Sequence, residues 1–211
     1  MEAGAGTPPR SMTARAAAGA ARVERRRRSA PNGIWGMALF LCSEATIFGT
    51  LMATYFYLDF DAHRWPPAGI ERPTIAWPSI ATGWLVLSMI PIWLASRSAR
   101  RGARRLTLGS IWVACAMQCL YLAAQILLFR HDLLHFSPKG SAYGSIYFTM
   151  LAADHAHVAL GIALDAALLL FITLRGLANY WLIGVRGLAI YWYAVTVITV
   201  LVLCTQLSPS F

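Results

Sequence analysis

Apolar positions fall in five long runs, 34–58, 76–96, 106–129, 143–174 and 188–207, parted by short polar stretches. A helix needs about 20 mostly apolar residues to cross a bilayer, so each run predicts a membrane-spanning helix. The second, third and fifth runs contain no charged residue, and the first contains one, Glu44. The fourth carries Asp154, His155, His157 and Asp165. It is longer than one crossing needs, which predicts a tilted helix or one that begins outside the hydrocarbon. Pro31-Asn32-Gly33 breaks the chain before the first run, and Trp65-Pro66-Pro67 with Arg72-Pro73 makes the next connection irregular. Pro78 sits in the first turn of the second helix, where a missing N–H costs little. Pro91 sits inside that helix and predicts a kink. Tyr55, Tyr57, Trp65, Trp77, Tyr180 and Trp181 lie near run ends, as an interfacial aromatic belt requires. The expected fold class is all-α, an integral membrane bundle of five transmembrane helices over 34–207, preceded by a separate segment 1–33.

Composition agrees. The 211 residues are 58% hydrophobic and 13% charged, against about 45–50% and about 25% in soluble domains. That excludes an ordinary soluble domain, and disorder of the whole chain needs low hydrophobicity. Four Cys without a CxxC or a zinc-type Cys/His spacing exclude a disulfide framework. The net charge of +9 would point to nucleic acid in a soluble protein, but its placement gives it another meaning. Residues 1–33 hold seven Arg, the connection 97–105 holds five and the connection 175–186 holds two. The other side of the alternation holds Arg64, Arg72, Arg130 and Lys139. Basic residues favour the cytoplasmic side, so the N-terminus is expected in the cytoplasm and the C-terminus outside. The basic excess is a topology signal, and no nucleic-acid partner is expected.

The segment 1–33 is rich in Ala, Gly and Arg and poor in large apolar residues. It reads as a disordered cytoplasmic arm; a basic arm touching anionic lipid or a partner and an organelle transit peptide are the alternatives. It has no apolar stretch ahead of a cleavage site, so a removable secretory signal is not expected.

Chemistry concentrates on two runs. An acid at the centre of a spanning helix costs about 2.5–3.5 kcal/mol on insertion scales, which makes Glu44 a functional-site hypothesis. It reads as a proton-exchanging or lipid-contacting carboxyl, against a neutral structural group. Ala45, Gly49 and Ala53 form a small-residue stripe beside it that lets another helix approach. In the fourth run, at about 100° per residue, Asp154, His157, Gly161 and Asp165 fall in one stripe and His155 lies off it. That stripe should face protein, with Asp154 and His157 at a spacing that permits a pair. It reads as a satisfied interhelical hydrogen-bond network, or as a metal or proton-relay site. Gln118 and Gln125 share a face of the third helix, where interhelical bonding is the plain reading. Cys115 and Cys119 read as small hydrophobes. His131 and His135 have an HxxxH spacing that suits metal ligation, but His157 belongs deep in the membrane, so the two His groups are not expected to converge.

These residues resemble a family. Ile34-Trp-Gly-Met-Ala-Leu-Phe-Leu-Cys-Ser-Glu44-Ala-Thr-Ile-Phe-Gly49, running on to Ala53-Thr-Tyr-Phe-Tyr57, resembles the glutamate-bearing helix of subunit III of haem–copper oxidases. Ser141-Ala-Tyr143-Gly144-Ser-Ile-Tyr-Phe-Thr149, followed by His157-Val158 and Gly161, is similar to that subunit's next signature. Tyr191-Trp192 falls where the last helix carries Tyr-Trp-His, and Gln125 matches the Gln of Gln-x-x-Glu. Order and spacing agree over about 31–207, as in the short five-helix bacterial form. The departures are polar. Asp154-His155-Ala156-His157 stands for His-Gly-x-His, Leu128 for the Glu of Gln-x-x-Glu, Tyr193 for the His of Tyr-Trp-His, and Thr196 for the acid three residues on. Asp165 is an addition.

The resemblance implies a non-catalytic accessory subunit of an aerobic terminal oxidase in the bacterial cytoplasmic membrane. It implies no cofactor on this chain, with haem and copper in partner subunits, and a bound phospholipid. It implies packing on subunit I, proximity to subunit II, and support of proton uptake and sustained turnover. Glu44 would serve the lipid or the proton-entry region, and Asp154, His157, Asp165 and Gln125 a structural polar network. Cytochrome c and quinol are both open as electron donor, and an accessory subunit of nitric oxide reductase is a related reading. A His-based membrane metalloenzyme and a small transporter using Glu44 and Asp154 are readings of another class.

Overall fold

The computed structural model describes residues 32–71, 74–176 and 179–208. The segment 1–31, with its seven Arg, and Arg72-Pro73 lie outside the described residues, as do the side chains of Tyr180 and Trp181. Among the described residues six helices follow in order: α1 Asn32–Asp61, α2 Ala76–Leu87, α3 Met89–Arg100, α4 Arg104–His135, α5 Ala142–Arg175 and α6 Asn179–Leu207. There is no strand among the described residues. With α2 and α3 taken as one interrupted span, five helices are long and apolar enough to cross a membrane. The fold is an all-α five-span bundle.

The interruption has a cause. Pro91 has no N–H to give to the Leu87 carbonyl, and its ring crowds that turn. The ladder breaks at Ser88, whose N–H bonds to both Trp84 O and Leu85 O at 3.1 Å, and whose hydroxyl donates to Leu85 O at 2.7 Å. The kink expected at Pro91 thus falls three residues before it. The helices also outrun the apolar runs. α4 continues through Arg130, His131 and Asp132 to His135, and α6 begins at Asn179, nine residues before the apolar run at 188. Backbone hydrogen bonding does not stop where hydrocarbon does. At about 1.5 Å per residue, the 34 residues of α5 exceed the about 30 Å hydrocarbon core.

α5 starts cleanly because Ser141 caps it, accepting from the Gly144 N–H at 3.0 Å. It stops at Gly176, whose φ of 77° suits glycine. Arg104, at the start of α4, donates to the carbonyls of Ile172 and Thr173 at 3.1 and 2.8 Å, tying α4 to the last turn of α5. Arg97 and Arg100 end α3, Arg104 and Arg105 begin α4, and Arg175 ends α5, so this end of the bundle is the basic one.

α5 packs on α4, α6 and α1, and α6 packs on α5, α1, α2 and α3. The core has two parts. Towards the basic end it is mainly aliphatic, built on Leu85, Ile92, Ile111, Val158 and Ile172 around Trp192. Towards the other end it is aromatic, with Phe48, Tyr55, Tyr143, Tyr147 and Phe148. α1 is the least covered span, with 6% of its most apolar window buried inside the chain. Trp35, Leu39, Ile47 and Phe56 on α1, like Trp112 on α4, are exposed, as side chains facing lipid or another chain must be.

Candidate functional site

Three polar side chains of α5 make three separate connections. His157 turns to α1, where Nε2 lies 2.7 Å from Glu44 Oε2. Its Nδ1 lies 2.7 Å from Ala153 O, one turn back. A carbonyl only accepts, so Nδ1 carries a proton. Two bare lone pairs do not meet at 2.7 Å, so a second proton lies between Nε2 and Oε2. Whether that proton sits on oxygen or nitrogen, the pair is net neutral, which is how an acid and an imidazole coexist inside a membrane. Phe48 meets the imidazole edge-on, with ring centroids 5.2 Å apart. Tyr191 on α6 donates to the His157 carbonyl at 2.7 Å. Both side chains remain partly open, 12% for Glu44 and 19% for His157.

Asp154 turns the other way, to α6 and α4. Thr199 donates to Oδ1 at 2.6 Å and Tyr121 to Oδ2 at 3.4 Å. Gln125 in turn donates to the Tyr121 hydroxyl at 3.0 Å. Asp165 is fully buried and accepts from Trp192 Nε1 at 3.1 Å. With the Gln118 amide nitrogen facing it, Asp165 Oδ2 also accepts from Gln118 at 2.6 Å. The opposite oxygen, Oδ1, has no partner.

The stripe expected on the fourth span therefore exists, but its members do not act as one cluster. Asp154 and His157 bond to different helices and not to each other. The imidazole is at one edge of the stripe and reaches α1, whereas the two aspartates point between α4 and α6. Gln118 and Gln125 both join this network. His155 lies off the stripe against Phe129, with ring centroids 5.6 Å apart, and its Nε2 is buried without a partner. His131 and His135 stack on each other at the end of α4, centroids 4.2 Å apart. No group of three or more His, Cys, Asp or Glu among the described residues is arranged to hold a metal. Ala45, Gly49 and Ala53 are exposed, and a Cβ built on Gly49 meets nothing within 4 Å. The small-residue stripe is thus not packed on any helix among the described residues.

Tyr121, Thr199 and Trp192 were not singled out from the sequence as partners of the aspartates. The signal for Tyr121 was its spacing, three after Gln118 and four before Gln125, on one helical face. Thr199 lies seven residues, two turns, after Trp192. Its contribution is measurable. Thr199→Val leaves one carboxyl oxygen without its close donor, a loss of about 1–3 kcal/mol. Thermal unfolding of the purified protein in detergent should show it, and Thr199→Ser should retain most of the wild-type midpoint.

Comparison with known proteins identifies the family of the chain. Subunit 3 of the cytochrome c oxidase of Thermostichus vulcanus is 27% identical over 131 residues, covering 62% of this chain and 64% of the relative. The chain thus spans slightly under two thirds of that relative's length. Subunit 3 of the cytochrome bo(3) ubiquinol oxidase of Pseudomonas aeruginosa is 27% identical over 150 residues, 71% of each chain. A probable quinol oxidase subunit 3 of Staphylococcus haemolyticus is 27% identical over 152 residues, 70% of this chain and 73% of the relative. The sequence profile of cytochrome c oxidase subunit III matches residues 26–207, which takes in all five spans together with Glu44, Asp154, His157 and Asp165. The chain belongs to the cytochrome c oxidase subunit III family.

Proposed function

We propose that this chain is the non-catalytic accessory subunit III of an aerobic terminal oxidase that takes electrons from cytochrome c. It sits in a bacterial cytoplasmic membrane with its basic end in the cytoplasm. In this reading haem and copper are carried by partner subunits. The chain packs on subunit I, lies near subunit II, holds a phospholipid, and sustains turnover by keeping proton uptake supplied. The observation that carries the reading is the Glu44–His157 pair. It is a proton-sharing acid and imidazole 2.7 Å apart on the least covered span of the bundle. A group that can hand a proton between oxygen and nitrogen without changing the net charge of the site suits a relay that must work in low dielectric. Its partial exposure leaves it in reach of lipid or of a partner chain. The uncovered face of α1, with Ala45, Gly49 and Ala53, suits the close approach of a helix from subunit I.

A quinol-oxidising complex is the second reading, because relatives named for quinol oxidases match 71% and 70% of the chain, more than the 62% matched by the Thermostichus vulcanus cytochrome c oxidase subunit. Purification of the complex through a tag on this chain, followed by oxygen-consumption assays with reduced cytochrome c and with a short-chain quinol, separates the two. Cytochrome c-driven respiration that inactivates faster in complexes stripped of this chain is the expected result. Turnover with quinol alone would replace the first reading by the second.

A further inference from the structure

Between α2, α4, α5 and α6, towards the end opposite the basic one, lies a cavity of about 930 Å³. Much of its lining is apolar, but a row of polar side chains is set into it. Along α4 the lining residues Tyr121, Gln125, Leu128, Asp132 and His135 recur at alternating steps of four and three. They share one helical face, and of the nine α4 residues that line the cavity five are polar, His131 being the fifth. α5 contributes Asp154 at the deep end and Tyr147 two turns nearer the mouth. α6 contributes Thr199 and, two turns on, Gln206. The polar positions of three helices therefore form a ladder. It runs from the middle of the membrane to the end where Asp132, His131 and Glu71 line the cavity. From Tyr121 to Asp132 the ladder rises about 16 Å at about 1.5 Å per residue, half of the hydrocarbon thickness of about 30 Å.

The rungs keep unused hydrogen-bonding capacity. Among the described residues Gln125 bonds through its nitrogen alone, to Tyr121, which leaves its carbonyl oxygen for another donor. Gln206 reaches Tyr147 O only at 3.5 Å, a weak bond. Tyr147 donates to Asp132 Oδ2 at 2.7 Å, and the other oxygen of Asp132 lies 3.5 Å from His131 Nδ1. Methylene groups laid along this ladder would leave those atoms without partners, at about 1–3 kcal/mol each by mutational measures. Water supplies two to four bonds per molecule and fits a cavity that is both polar and roomy. Intramembrane ionisable residues face the bundle interior or a water-filled cavity, and Asp154 and Asp132 both line this one.

We propose that this cleft is water-filled and forms an aqueous access route from the α4 C-terminal end of the bundle to the Asp154–Tyr121–Gln125–Thr199 network at mid-membrane. The route ends short of Asp154, Thr199 and Tyr121, which are buried; water meets the network at Gln125, its most open member. It is separate from the Glu44–His157 pair, which lies on the opposite flank of α5, and it does not depend on the reading of that pair.

Thiol accessibility in the intact complex in membrane fragments tests the proposal. Leu203 lines the cavity, whereas Cys204, one residue on and at nearly the same depth, is exposed without lining it. Cys204 is therefore a built-in lipid-facing control. Two cavity variants, Leu203→Cys and Ala124→Cys, are made with Cys42, Cys115, Cys119 and Cys204 replaced by Ser. The control carries Cys204 and lacks the other three native thiols. A permanently charged methanethiosulfonate reagent, which reacts with thiols that water reaches, is then applied to each. Reaction at least tenfold faster at position 203 or 124 than at Cys204 is expected. Rates at both positions no faster than Cys204 would overturn the proposal and leave a lipid-filled groove. The second position guards against misfolding of the first.

Discussion

Gly161→Ala is expected to destabilise the bundle by about 2–4 kcal/mol, the combined scale of an overpacked core and a lost buried hydrogen bond. A Cβ built at Gly161 lies 2.5, 2.8 and 3.0 Å from three ring atoms of Trp192. Trp192 is fully buried, and its indole N–H is committed to Asp165 at 3.1 Å. The ring therefore cannot swing aside without giving up that bond or prising α6 from α5. The bond holds a carboxyl that has Gln118 as its other donor, so the damage spreads to α4. Thermal unfolding in detergent measures the loss. The double variant Gly161→Ala/Trp192→Phe separates the two contributions, because the smaller ring admits the methyl group. It should sit closer to Trp192→Phe alone than additivity predicts. Strict additivity would show that the contact between the two residues is not the cause.

The second large effect divides stability from turnover at Glu44. Glu44→Ala and His157→Ala each leave the other partner in the membrane without its bond. Interhelical polar bonds in membranes average about 0.6 kcal/mol and reach about 1.7 kcal/mol. The short, shared-proton geometry here puts the loss near the upper figure. The double-mutant cycle should return a coupling of about 1–2 kcal/mol. Glu44→Gln behaves differently. Its amide can donate to His157 Nε2 while Nδ1 keeps its bond to Ala153 O, so stability should stay close to wild type. An amide does not take up and release protons, however. If the pair serves proton supply, Glu44→Gln should shorten the number of turnovers before inactivation as much as Glu44→Ala does. Equal endurance of Glu44→Gln and wild type would confine the pair to holding α1 against α5.

How much of this was legible in the chain depends on which physical signal each feature leaves. The five spans were readable because about 20 apolar residues in a row leave few alternatives. The ends of α4 and α6 were not, because a helix continues into water as long as its residues tolerate it, and no apolar pattern marks that stretch. Pro91 predicts a break in the second span, but the geometry places the break at Ser88, beside the Leu87 carbonyl that Pro91 has no N–H to serve. The stripe on α5 was readable from its period. The partners of the stripe were not, since periodicity says which residues share a face and leaves open which helix they meet. Asp154 and His157 are three apart and were expected to permit a pair. They separate because α1 brings Glu44 to one edge of the stripe while α6 brings Thr199 to the middle. Gly161 was placed in the stripe, yet its role as the recess for Trp192 is a packing fact that one sequence does not carry. The stripe of Ala45, Gly49 and Ala53 is expected to admit another helix, but no helix among the described residues covers it.

The most direct test of the account is purification of this chain through an affinity tag from its native membrane in mild detergent. A reduced-minus-oxidised spectrum would be recorded, and the accompanying subunits identified. The account predicts haem bands together with an oxidase subunit I and a copper-bearing subunit II in constant proportion to this chain. A haem-free chain purified alone, under conditions that keep a control oxidase whole, would contradict it.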